Sequence, residues 1–181
     1  MRILSRILFA VGALCLGAYG FFVVQAHVYQ QKLGWALENE PEVVAPKLSE
    51  GDLVGKLEIP RLRLSVMVME GVADETLRVG GGHIPGTTYP GAPGNSAFAA
   101  HRDTFFRNLR NVRKDDLVQF TTRSHTFAYR VVSTAVVNPS DAAVLAPTSS
   151  ETITLVTCFP FYFIGPAPKR FVVHAVRSRQ I

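Results

Sequence analysis

From Ile7 to Val24 the chain carries no charged side chain, and the apolar run extends to Ala26. At ~1.5 Å rise per residue, a helix of that length reaches roughly 27–30 Å, about the hydrocarbon thickness of a bilayer. A second regime follows. Pro41 and Pro46 bracket a short polar and aliphatic stretch, which reads as an extended linker because proline forbids a continuous helix. From Asp52 onward the apolar residues come in short runs cut by glycine, proline and charge. That is the pattern of strands joined by turns.

The runs Leu53 to Ile59 and Leu62 to Met69 predict two strands around a turn at Pro60-Arg61. Asp74 to Gly80 predicts a short helix, opened by an Asp cap and stopped by glycine. Gly80 to Gly94 is dense in glycine and proline and reads as a loop. Asn95 to Ala100 predicts a short buried strand, and Thr104 to Arg110 a short helix. Leu117 to Thr122 and His125 to Val137 form a hairpin around Arg123-Ser124, with Phe127, Tyr129 and Val131 alternating on one face. Thr152 to Cys158 and Lys169 to Arg177 supply two more strands. Many short strands, few helices and no internal repeat predict a mostly β domain closed into a barrel, preceded by an N-terminal transmembrane helix.

The expected organisation is therefore residues 1–6 as a cytoplasmic N-terminus, 7–26 as the membrane anchor, 27–51 as a juxtamembrane segment and linker, and 52–181 as the globular domain. Arg2 and Arg6 precede the apolar run and no Lys or Arg follows until Lys32. The positive-inside rule then places the N-terminus in the cytoplasm and the domain outside, as a single-pass protein. A cleavable signal peptide is the rival reading, with Val24-Gln25-Ala26 as its cleavage site.

Composition narrows the classes further. A 48% hydrophobic content supports a packed core. The net charge of +5 is spread along the chain. Runs such as Arg61-Leu62-Arg63 lack the dense clustering of a nucleic-acid groove, so nucleic acid is not an expected partner and these runs read as solvated surface. No Gly-rich phosphate loop precedes a helix, and no close His/Cys spacing suggests a metal site. No cofactor is expected.

Two cysteines are present. Cys15 falls in the apolar run, so Cys158 is expected to be a free thiol. Cys158 ends a predicted strand before Phe159-Pro160, at the rim of the barrel. A thiol at its ordinary pKa of about 8.5 is only slightly ionised at pH 7 and needs a base nearby. Of the five histidines, His27 lies near the membrane exit, His125 at a hairpin turn and His174 on the last strand. His83 sits in the Gly/Pro loop. His101 ends its strand, as Cys158 does, and is the best partner. Arg170 opens the last strand, and its fixed guanidinium suits a substrate carbonyl or a developing oxyanion.

These residues match a known pattern. Thr154 to Cys158 resembles the sortase signature in which a Thr-Leu-x-Thr-Cys strand presents the nucleophile. Ala100 to Phe106 resembles the histidine motif of that family, and Lys169 to Val173 its arginine strand. Gly82 to Thr87 and the run from Cys158 to Arg170 are most similar to class D sortases.

The resemblance covers roughly Asp52 to Arg177. It implies a sortase-type eight-stranded β-barrel with short helices, and Cys158, His101 and Arg170 as catalytic residues. Thr157, Arg102, His83 and Phe159 are the expected substrate-binding residues. It further implies a cysteine transpeptidase acting on secreted proteins that carry an LPxTG-like C-terminal sorting signal, with an envelope amine as acceptor and membrane lipid around residues 7–26. No Asp-Pro-aromatic lid precedes the barrel, and Asn138 to Glu151 is too short for a large helical insertion. Both features favour anchoring over pilus polymerisation. The rival from another class is a non-catalytic, membrane-anchored binding module. A cross-linking envelope transpeptidase would instead place His and Cys almost adjacent.

Overall fold

The computed structural model describes residues 2–39, 48–162 and 165–178. The linker expected around Pro41 and Pro46 lies outside them. One helix, α1 (Arg2–Asn39), takes up the whole N-terminal region. It runs past the apolar stretch because Gly34, one residue in 38, costs only about 1 kcal/mol in a helix interior. Leu8, Phe9, Leu14 and Phe21 are all more than half exposed on it. Among the described residues α1 is the one helix long and apolar enough to cross a membrane.

The rest is a closed barrel of eight strands in the order β1-β2-β3-β4-β7-β8-β6-β5. The strands are β1 (Leu53–Ile59), β2 (Leu64–Glu70), β3 (Gly81–His83), β4 (Asn95–Ala99), β5 (Leu117–Thr121), β6 (Thr126–Val137), β7 (Thr152–Phe159) and β8 (Lys169–Arg177). Closure gives every strand a neighbour on each side. Leu57, Phe98, Phe120, Tyr129, Ile153, Leu155 and Val173 fill the interior, and the Phe98 and Phe120 rings stack with centroids 4.9 Å apart.

Four local details differ from the sequence expectation, the first being the helix expected from Thr104 to Arg110, which is a turn followed by a 3-10 helix at Arg107–Asn111. Pro60–Leu62 forms a 3-10 turn and Arg63 takes a left-handed conformation with φ 49°, so β2 starts at Leu64. The helix α2 (Asp74–Val79) is preceded by Ala73 as N-cap, with no side-chain cap, and Asp74 and Glu75 lie in its first turn. The loop expected from Gly80 to Gly94 contains β3, which pairs in parallel with β2 and antiparallel with β4. A Cβ on Gly82 would meet the Gly71 carbonyl oxygen at 2.1 Å, so only glycine permits that pairing.

Asp116 is buried at the end of the barrel where β1 stops and pairs with the exposed Arg61. Arg61 donates to both of its carboxylate oxygens (Nη2 to Oδ2, 2.6 Å), and Arg113 donates its backbone N–H at 2.8 Å. The hydrogen bond from Arg61 holds the Asp116 carboxyl below the usual carboxylate range, against the opposing effect of burial. A depressed folded-state pKa contributes stability above about pH 4, and that stability is lost as pH falls through the folded value. Asp116→Asn is therefore expected to lower Tm at neutral pH and to flatten the fall of Tm under acid. A Tm profile from pH 7 to 3 by circular dichroism checks this, and an unchanged acid limb would contradict it.

Candidate active site

Strand register assembles the site. β7 and β8 are antiparallel neighbours, with Cys158 directly opposite Arg170. Opposite residues hold their Cβ atoms about 4.5–5.5 Å apart on one face of the sheet. On the other side of β7, β4 runs parallel and its register ends with Ala99 beside Val156. The Ala100 N–H still donates to the Val156 oxygen at 3.4 Å. Two further residues bring His101 level with Cys158.

Alternation settles the face. Phe98, Ala100, Ile153, Leu155, Val173 and Ala175 point into the core, so Cys158, Arg170 and His101 project outward from it. His101 is exposed, while Cys158 and Arg170 are partly buried. Cys158 is a free thiol, as is Cys15 on α1. Arg170 is steadied by its own strand entry, donating through Nη1 to the Ala167 and Lys169 oxygens at 3.3 and 3.1 Å. By register, Cys158 on β7 is flanked by Arg170 on β8 and by His101, two residues past the end of β4. That arrangement can supply a nucleophile, a proton carrier and an oxyanion donor.

The other four expected site residues divide differently. Thr157 is 3% exposed and faces inward, where its hydroxyl donates to the Ala100 oxygen at 2.7 Å. It therefore ties the residue before Cys158 to the residue before His101. Arg102 reaches the loop after Cys158, donating to the Pro160 oxygen at 2.9 Å and the Gly165 oxygen at 3.1 Å. Thr157 and Arg102 bracket His101 and hold its strand end against the Cys158 strand. Phe159 joins an aromatic cluster at the barrel end, 6.1 Å from Phe161 and 6.3 Å from Phe171 between ring centroids.

His83 is the correction. It is 1% exposed, which leaves no face of the ring open to substrate. Its Nδ1 lies 2.7 Å from the Glu70 carboxylate, and its Nε2 3.0 Å from both the Thr88 oxygen and the Thr87 hydroxyl. Both ring nitrogens are engaged, and the Tyr89 ring stacks on it at 4.5 Å. Tyr89 completes the network by donating to Glu70 at 3.0 Å. Burial first, and that bond second, push its phenol up to about 12. His83 thus structures the loop that follows β3.

One polar group was not anticipated from the sequence. On the outer face of β7, Thr154 donates to the Asn95 side-chain oxygen at 2.6 Å and lies 3.0 Å from Nδ1 of His174. Asn95 in turn donates to the Val144 and Ala146 oxygens, tying the loop between β6 and β7 to the sheet. Burial holds the His174 imidazole below its ordinary pKa. Among the described residues no cluster of three His, Cys, Asp or Glu side chains is arranged to hold a metal.

Residues 57–178 match the sortase domain family, and the chain belongs to that family. It is 32% identical to Sortase D of Bacillus subtilis (strain 168) over 132 residues, covering 72% of this chain and 67% of the relative. A Clostridium perfringens Sortase D5 transpeptidase structure superposes with a TM-score of 0.66 at 28% identity, covering 73% of this chain and 82% of that one. Both names agree with the class D resemblance of the motifs. Sortase A from Corynebacterium diphtheriae shares the fold, with a TM-score of 0.69 at 24% identity over 90% of this chain and 85% of that one.

Proposed function

We propose that this sortase is a membrane-anchored cysteine transpeptidase that cleaves an LPxTG-like C-terminal signal on secreted proteins. It then joins the threonine carboxyl to an amine of the cell envelope. The Cys158 thiolate attacks the threonine carbonyl carbon, forming a C–S bond. The Thr–Gly C–N bond then breaks, and His101 delivers a proton to the departing glycine amine. His101 later takes a proton from the incoming amine as the thioester is replaced by an amide. Arg170 holds the carbonyl oxygen while it carries negative charge. α1 anchors the enzyme through residues 7–26, with the N-terminus in the cytoplasm and the barrel outside.

The observation that supports this reading best is that Cys158 on β7 is directly opposite Arg170 on β8, with His101, just past β4, at the same level. The full chain in detergent, incubated with a quenched Leu-Pro-x-Thr-Gly peptide library and a small amine, tests it. Amine-joined product identified by mass spectrometry, absent in the thiol-less variant, is the expected result. A folded enzyme that leaves every peptide intact would favour a binding module instead.

The bracket around His101 gives a further expectation. Thr157→Val leaves the buried Ala100 oxygen without its donor, at a cost of roughly 1–3 kcal/mol. It loosens the His101 strand end without touching substrate. A kcat loss of about tenfold with KM nearly unchanged, and recovery in Thr157→Ser, is expected in steady-state assays. Equal kcat in all three proteins would remove this positioning role.

A further inference from the structure

We infer that two copies of this chain pair through β6, strand edge against strand edge, about a two-fold axis at Thr134. β6 is 12 residues long, whereas β5 beside it has five. β5 pairs with Thr126 to Arg130. Asp115 and Asp116 carry that side one residue further, bonding to Val131 at 2.8 and 3.0 Å. Beyond it β6 keeps only β8, from Ser133 opposite His174 to Val137 opposite Arg170. Among the described residues, no backbone group bonds to the other side of residues 132–137.

Solvent reaches this edge. Residues 132–136 are all exposed. Among the described residues outside α1, five large apolar side chains are exposed, and two of them, Val132 at 44% and Val136 at 48%, lie here. Soluble proteins blunt such edges with charge or proline. The run from Val131 to Val137 carries neither, and the first proline is Pro139. One bulge, between Val131 and Ser133, stands where the β5 side ends, and the register beyond it is regular.

The pattern of side chains selects the occupant. Outward from Thr134, small Ser133 and Ala135 come first, then Val132 and Val136. Antiparallel pairing about Thr134 therefore sets each Val132 against Val136 of the second copy and one Thr134 against the other. Side chains two apart share a face, so four valines and two threonines form one continuous strip. Ser133 meets Ala135 on the opposite face, and no charge enters the seam. An extended peptide of another sequence satisfies the open backbone groups but has no built-in match for both valines. A second copy matches both by symmetry.

Five residues from each copy make a small interface, below the ~1,200 Å² of a standard one, so the pairing is weak and depends on concentration. It joins the two sheets into a single β7-β8-β6-β6-β8-β7 run. The seam stops one residue short of Val137, which faces Arg170 across β8. This inference is independent of the proposed reaction.

Oxidative cross-linking of the full chain in detergent tests it. Thr134→Cys, in a background of Cys15→Ser and Cys158→Ala, puts two thiols on the axis. Their Cα atoms are then about 4.5–5.5 Å apart, within disulfide reach. Val132→Cys in the same background is the control, since its counterpart lies four residues, roughly 13 Å, along the seam. Thr134→Cys is expected to form covalent dimer at least tenfold faster than Val132→Cys. An equal mixture of the Val132→Cys and Val136→Cys chains is expected to cross-link well above either alone. Adding Val136→Lys to Thr134→Cys is expected to bring its rate down to that of Val132→Cys, with an unchanged thermal melt. Equal rates for Thr134→Cys and Val132→Cys overturn the inference, as does a Thr134→Cys rate that Val136→Lys leaves untouched. Slowed hydrogen exchange across residues 132–137 on adding a Leu-Pro-x-Thr-Gly peptide, with no cross-link at Thr134→Cys, overturns it in favour of a peptide at this edge.

Discussion

Replacing Cys158 by alanine is expected to abolish both cleavage and amine joining, with a loss of at least ~10³-fold against the unaltered enzyme. No neighbouring group can take over. The face that holds Cys158 presents Val156 and Thr154 farther along β7, and Thr154 is buried with its hydroxyl already committed to Asn95. The other cysteine, Cys15, lies on α1 within the apolar run. Cys158 is only partly buried and ends its strand, so the substitution removes one sulfur from a rim position and leaves the core intact. Tm is therefore expected to stay within a few degrees while turnover disappears. Rates measured on the peptide assay beside a thermal melt check both halves, and substantial residual joining would place the nucleophile elsewhere.

Arg170→Ala is expected to reduce kcat by about 10²–10³, the usual effect of deleting one preorganised oxyanion donor. The size follows from its placement. Arg170 is directly opposite Cys158 across β7 and β8, and two backbone oxygens of its own strand entry hold the guanidinium in place. Preorganisation of that kind lowers the reorganisation needed as charge develops on the carbonyl oxygen. Arg170→Lys keeps the charge and loses the planar fork, so it is expected to recover only part of the rate. KM should change little, because the interaction strengthens as charge appears. Single-turnover kinetics on all three proteins measure this. A pure KM effect would assign Arg170 to ground-state binding.

Much of this account is visible in the chain itself, for identifiable reasons. Strands β1, β5, β7 and β8 alternate or carry β-branched runs between breakers, so their bounds shift by a residue or less. The proposed catalytic positions stand out because Cys158 and Arg170 fall at strand ends and His101 just past one. β3 does not stand out, since Gly81 and Gly82 carry no pattern and pair only because the Gly71 backbone leaves room for nothing larger. His83 misled for the same reason, as its Gly/Pro setting reads as an open loop while its Glu70 partner is far off in sequence. Thr157 and Arg102 stand beside the motif residues in sequence. Their roles depend on partners at Ala100, Pro160 and Gly165 that only three-dimensional register supplies.

The central claim is that Cys158 carries the acyl group between donor and acceptor, and intact-mass measurement tests it most directly. Full-length enzyme would be mixed with an intact Leu-Pro-x-Thr-Gly peptide from the library assay, quenched in acid within seconds without added amine, and digested for peptide mapping. The account predicts an adduct equal to the peptide up to its threonine, located on Cys158 and discharged by added amine. Rapid product formation with no adduct on Cys158, or an adduct on another residue, would contradict it.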